Sequence, residues 1–125
     1  MAIAHHTYTV IDCKEPLELA KFYGQITGYV IDEAARDEDS DWVDLFDNGV
    51  RKLAFQRVEN YQAPNWPAGP IPQQLHLDFH VRDLDIGEEK VLALGAIKHN
   101  VQPGQMFRVF LDPQGHPFCL VKNPQ

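Results

Sequence analysis

The chain is poor in everything that would bind nucleic acid, span a membrane or staple a small secreted fold. Its 125 residues carry 11 basic against 18 acidic side chains, a formal charge of −7, and the lysines and arginines are scattered one or two at a time. A phosphate-binding surface needs them clustered, so no nucleic-acid partner is expected. No apolar run approaches the ~20 residues of a membrane-spanning helix, and the first residues lack the apolar core of a secretory leader. Cysteine is scarce too. Cys13 and Cys119 are spaced neither as a redox pair nor as a zinc ribbon. They are expected as buried free thiols in a reducing, cytoplasmic setting.

What remains is enough for one domain, here expected to be residues 1–125, because 44% of the residues are hydrophobic and a chain of this length buries a core without disulfides or a structural metal. From His5 to Asp12, β-branched and aromatic residues predict a strand. Glu15-Pro16 opens a helix with Leu19, Phe22, Tyr23 and Ile26 at helical spacing, and Gly28 closes it. The acidic run from Arg36 to Asp41 reads as a solvated loop. Trp42–Phe46 and Val50–Val58 read as strands around Asp47-Asn48-Gly49, a hairpin signal. The segment 59–72 holds four of the nine prolines and reads as a linker. After it come a strand over Leu75–Val81, a helix from Asp83-Leu84-Asp85 to Gly95, and strands over Ala96–His99, Met106–Leu111 and Pro117–Val121. Asp112-Pro113-Gln114-Gly115 reads as the turn that feeds the last of these.

Strand, helix and three strands thus occur twice, in repeats of about 4–58 and 73–122. The helix starts differ by 83 − 15 = 68 positions and the closing glycines by 95 − 28 = 67. An internal repeat of this kind predicts an α+β fold of two βαβββ units, with curved mixed sheets forming a cup and the helices on the outer face. Alternation along Leu75–Val81 puts Leu75, Leu77, Phe79 and Val81 toward the helix and Gln74, His76, Asp78 and His80 on the opposite face. His76 and Asp78 are therefore the candidate acid–base pair.

The paired βαβββ pattern, with Asp12-Cys13-Lys14-Glu15-Pro16, Phe22-Tyr23, Gly28, Leu53-Ala54-Phe55-Gln56, Leu75-His76-Leu77-Asp78 and Asp112-Pro113-Gln114-Gly115-His116-Pro117-Phe118, resembles the vicinal oxygen chelate superfamily and its glyoxalase-like branch. The resemblance implies the fold, and a pairing of two chains into a homodimer, more specifically than it implies a reaction. Metal-dependent members of that superfamily carry His and Glu ligands on equivalent strands. By resemblance the ligand positions fall near Tyr8, on His76, near Phe55 or Gln56, and on Cys119, where a carboxylate would be expected. Only His76 has the expected chemistry, so a complete divalent metal site is not expected and the cofactor is left unassigned.

The expected function is binding of a small organic molecule in the cup, with His76 and Asp78 as candidate catalytic residues. Tyr8, Trp42, Phe55, Gln56, Trp66, Phe107 and Cys119 are the candidate substrate contacts. Two alternatives accompany it: a metal-dependent lyase, isomerase or dioxygenase, and a protein that sequesters an antibiotic or toxin. His116 reads as part of its turn.

Overall fold

Two units, residues 1–61 and 62–125, divide the chain inside the Pro-rich stretch, so most of that stretch belongs to the second unit. The structure is a computed structural model and describes residues 2–32 and 37–123. Arg36 of the acidic run lies outside them.

The first unit runs β1 (Thr9–Cys13), α1 (Pro16–Thr27), β2 (Val30–Ile31), β3 (Trp42–Asp47) and β4 (Val50–Arg57). Its four-stranded sheet has the order β1-β4-β3-β2, parallel between β1 and β4 and antiparallel elsewhere. Pro16 at the first helical turn needs no amide partner. Gly28 ends α1 at φ 79° with its amide on the Gly24 carbonyl, a left-handed cap that a side chain would strain. Leu19, Phe22 and Tyr23 are buried, and Tyr23 stacks on Phe55 of β4 with ring centroids 5.9 Å apart. That contact fixes the Phe55 face of the sheet as the face α1 covers.

The second unit repeats the plan with β5 (Leu77–Val81), α2 (Leu84–Ala93), β6 (Ile97–Lys98), β7 (Phe107–Leu111) and β8 (Pro117–Lys122). Its sheet order is β5-β8-β7-β6, with β5 and β8 parallel. The expected α+β class with two βαβββ units is therefore what forms. Asp83 caps α2 by accepting the Ile86 amide at 3.0 Å, which satisfies one of the free N–H groups of the first turn. Leu84 and Val91 of this helix are buried, whereas Leu92 and the cap residue Leu94 are exposed. Arg108 of β7 adds a polar attachment to α2, 2.8 Å from Asp85 and 3.1 Å from Glu88.

Three local expectations change. Leu75 was placed on the helix-side face, but it precedes β5 and is 77% exposed. The first strand begins at Thr9 rather than His5. The acidic loop is anchored rather than merely solvated, because the Arg57 guanidinium donates to Asp41 at 3.0 Å and to the carbonyls of Glu38 and Ser40.

Candidate functional site

In the second unit Leu77, Phe79 and Val81 alternate with Asp78 and His80 along β5, and the pairing Leu77↔Phe118, Asp78↔Cys119 carries the alternation onto β8. Phe118 is fully buried and its ring lies 6.1 Å from Phe79 and 5.6 Å from Phe110. Leu120 approaches Gly87 of α2 so closely that a Cβ there would lie 3.1 Å from it. The even–odd partition follows from strand geometry. One face packs on α2, and the other carries His76, Asp78 and Cys119.

That second face opens into a pocket of about 390 Å³. Its walls are apolar, with Trp66, Pro103, Phe107, Val109, Pro117 and Val121. Its polar groups are His76, Asp78, Cys119 and Gln73. Gly104 has no Cβ where the Phe107 ring lies, so a side chain there would collide with that ring. Trp66 is held from behind by His99, whose ring meets it edge-on at 5.0 Å. His99 in turn receives the Val101 amide on Nδ1, and Gln102 ties its carbonyl to Val109. The Pro-rich stretch is therefore ordered around the pocket by specific bonds. Asn65 bridges to Ile71 through both its amide and its side-chain oxygen.

His76 immediately precedes β5, and its Nε2 lies 3.2 Å from Asp78 Oδ1. Residues two apart on a strand are ~7 Å apart at the backbone, so the side chains close that distance by their rotamers. Asp78 also faces Cys119. Burial pushes the Cys119 thiol up to about 12 from 9.0, with the Asp78 charge and a hydrogen bond from the thiol to that carboxylate adding to it. A nucleophilic cysteine requires the opposite shift. Asp78 accepts from the thiol and faces the imidazole, an arrangement that favours the protonated thiol.

The same three residues bear on a metal. Their ligand atoms all lie within 4.8 Å of one another, and an imidazole, a carboxylate and a sulfur make a donor set suited to a borderline divalent ion such as zinc. By resemblance, only His76 has the ligand chemistry expected at its position. Asp78 joins it from β5 itself, and the parallel register of β5 and β8 adds Cys119. An ion would have to displace the thiol proton, which the high pKa opposes.

The raised thiol pKa has a signed consequence. Between about pH 9, where the unfolded thiol ionises, and about pH 12, where the folded one does, only the unfolded chain releases this proton. Stability therefore falls as pH rises through that window, by at most about 1.4 kcal/mol per unit, and is unaffected by this group below it. Denaturant titrations at pH 8, 9, 10 and 11 are expected to show a steeper decline for the wild type than for Cys119→Ala. Parallel declines would contradict the assignment.

The remaining sequence candidates lie in the first unit. Phe55 is fully buried against Tyr23, so it is core and has no surface to offer a ligand. Trp42 and Gln56 pair across β3 and β4 on the face away from α1. The indole of Trp42 donates to the buried Asp44 carboxylate at 2.8 Å, which also lies 3.0 Å from Arg51. Tyr8 is 37% exposed and has the Arg51 guanidinium 5.0 Å from its ring centre. By register, Val10↔Ala54 in the first unit corresponds to Asp78↔Cys119 in the second. The counterpart of Cys119 is thus Ala54, not Phe55 or Gln56, and alanine offers no ligand. Sequence reasoning missed Gln73, Pro103, Val109, Pro117 and Val121. The alternation recovers Pro117 and Val121, two residues to either side of Cys119, and Val109, two past Phe107, whereas Gln73 and Pro103 lie in loops with no period to read.

The model of the family described as "Glyoxalase-like domain" matches residues 8–121. A comparison with curated proteins gives no significant match. Among solved structures, a glyoxalase/bleomycin resistance protein/dioxygenase family enzyme from Burkholderia phytofirmans is similar at a TM-score of 0.68 and 17% identity, over 95% of this chain and 98% of that one. A glyoxalase-related enzyme from Fulvimarina pelagi has a TM-score of 0.64 and 19% identity, over 97% and 90%. A variant of the fosfomycin resistance protein FosX from Listeria monocytogenes, complexed with Mn(II) and 1S,2S-dihydroxypropylphosphonic acid, has a TM-score of 0.69 and 15% identity, over 98% and 94%. Similarity at these identities is one of fold. With a family match across nearly its whole length, the chain belongs to the glyoxalase-like domain family.

Proposed function

We propose that this glyoxalase-like domain binds a small organic molecule in the second-unit pocket, with His76, oriented by Asp78, as its principal polar contact and its candidate acid–base group. The supporting observation is the convergence of the His76–Asp78 pair on a pocket of about 390 Å³ with apolar walls. A largely apolar concavity with a few placed polar groups is the usual anatomy of a small-molecule site. An imidazole held beside a carboxylate is a common acid–base pair. Whether turnover follows binding separates an enzyme from a sequestering protein of the same fold.

A second reading makes the domain metal-dependent, and the cluster of His76, Asp78 and Cys119 within 4.8 Å favours it. Those three residues would hold the ion, which would polarise a ligand oxygen. The manganese and the phosphonate belong to the FosX relative, and the present donors differ from an all-nitrogen-and-carboxylate set by one protonated thiol.

The proposal extends to the chain as one domain and to a homodimer, supported by exposed apolar residues such as Val30 and Ile97 on the short edge strands. No described helix is long and apolar enough to cross a membrane. The proposed compartment is the cytoplasm, supported by two buried cysteines that remain free thiols.

One titration tests the site. A ligand found by thermal-shift screening of protein carrying no His-tag is titrated calorimetrically with and without chelator. The first reading expects equal affinity in both and a loss of about tenfold in His76→Ala, the scale of one polar contact in a desolvated pocket. Loss of binding on chelation would identify the metal-dependent reading, and unchanged affinity in His76→Ala would remove His76 from the site.

A further inference from the structure

We propose that the pocket takes an organic cation, an amine protonated at neutral pH, with its ammonium on the Asp78 carboxylate and its apolar body against Trp66 and Phe107. The inference rests on the second-unit pocket being the ligand site and names the class of ligand it takes.

Asp78 lines the pocket, and no lysine or arginine lines it beside Asp78. Strand geometry explains the imbalance. Phe107 and Val109 of β7 face the pocket, so Arg108 between them points the other way, where it meets Asp85 and Glu88 of α2 at 2.8 and 3.1 Å. Lys98 of β6 lies 3.0 Å from the same Glu88. The basic residues of these two strands are thus held by the helix, and the pocket carboxylate has no fixed cation of theirs. It is reachable, because 52% of the Asp78 side chain is exposed. It is also not saturated. A carboxylate offers about four acceptor sites, and the partners of Asp78 are His76 Nε2 and the Cys119 thiol, which leaves acceptor capacity for an ammonium N–H.

The walls act in the same sense. The rings of Trp66 and Phe107 are held in place, one by His99 and the other over Gly104. Aromatic faces attract a cation through the ring quadrupole, tryptophan most strongly, and they pack an apolar body equally well. An anion entering the pocket would lose its water next to Asp78 with no lysine or arginine to replace it. A neutral guest of the same shape keeps the apolar contacts and forgoes the ion pair. At longer range the formal charge of −7 on the chain also favours the approach of a cation.

The test uses three probes of similar shape on the full chain at pH 8: 2-phenylethylamine, which is cationic there; 2-phenylethanol, which is neutral; and 3-phenylpropionate, which is anionic. A free imidazole is neutral at that pH, and chelator in every sample keeps metal ions from competing for Asp78. Binding is read from the indole N–H resonance of Trp66, assigned with Trp66→Phe. The amine is expected to bind about tenfold more tightly than the alcohol, as one charge-assisted hydrogen bond would give, while 3-phenylpropionate leaves the resonance unmoved. Asp78→Asn, which keeps the shape and removes the charge, should abolish the preference, and Asp78→Glu, which keeps the charge, should preserve it. Equal binding of amine and alcohol to the wild type overturns the inference without recourse to a variant, and so does a preference that survives in Asp78→Asn. Binding of 3-phenylpropionate but not of the amine also overturns it while leaving the pocket as the ligand site. A Trp66 resonance that none of the probes moves overturns both.

Discussion

Phe118→Ala is expected to remove about 3–5 kcal/mol of stability, the cost of emptying a fully enclosed aromatic site. Phe118 has no exposed surface and lies on β8, which is paired with β5 on one side and β7 on the other. Its ring packs on Phe110 at 5.6 Å and meets Phe79 edge-on at 6.1 Å, so one truncation loosens three strands. The neighbouring Cys119→Ala changes the opposite face, toward the pocket, and should cost about 1 kcal/mol or less. Urea denaturation of the two variants measures the contrast. If Cys119→Ala proved as damaging as Phe118→Ala, the two faces of β8 would not be divided into core and site as described.

That division was partly legible in the sequence. On β5 the letters alternate cleanly, because one face is apolar and the other polar, and Leu77, Phe79 and Val81 are indeed less exposed than Asp78 and His80. On β4 the same logic breaks down: Leu53, Ala54 and Phe55 are buried in succession, since a central strand can be covered on both sides, and Phe55 then goes to the helix rather than to a ligand. Leu75 fails for the opposite reason. It is apolar but lies before the first ladder pair of β5, so no sheet fixes its direction and it is left exposed.

The repeat was readable because its punctuation is local. Pro16, Gly28 and Gly95 act through their own backbone and Asp83 through a side-chain bond to the Ile86 amide three residues on, and their spacing needs no tertiary information. The site was only half readable. His76 and Asp78 are near neighbours in sequence, whereas Cys119 reaches Asp78 through a parallel register that alternation alone does not set. Gln73 lies in a loop with no period to read, and only the packing of that loop brings it to the pocket. The ordered Pro-rich loop shows the same limit: its prolines exclude strand and helix, but the bonds from Asn65 to Ile71 decide which loop it is.

Asp112→Ala is the change expected to reach both the fold and the pocket through a single side chain. Asp112 is 2% exposed, and its carboxylate accepts the amides of Gln114 and His116 at 2.8 and 3.1 Å and lies 2.8 Å from His116 Nδ1. Its own amide donates to the His116 carbonyl at 2.9 Å, so the turn is closed from both sides. An aspartate that bonds the backbone ahead of it is the device that makes such a turn. The geometry also needs Gly115, at φ 92° and with Ala63 only 2.6 Å from where a Cβ would stand. Removing the carboxylate leaves two amides and an imidazole without their acceptor inside the protein. The expected cost is about 3–5 kcal/mol, as for a buried charge-assisted network broken on one side. Asp112→Asn keeps one acceptor and the shape, and should recover about half of that loss. Because Pro117 opens β8 directly after this turn, the damage should extend to the pocket wall formed by Pro117 and Cys119. Native-state hydrogen exchange is expected to show lost protection along β8 in Asp112→Ala, with α1 in the other unit unchanged. Full stability in Asp112→Ala would mean that Pro113 and Gly115 hold the turn without it.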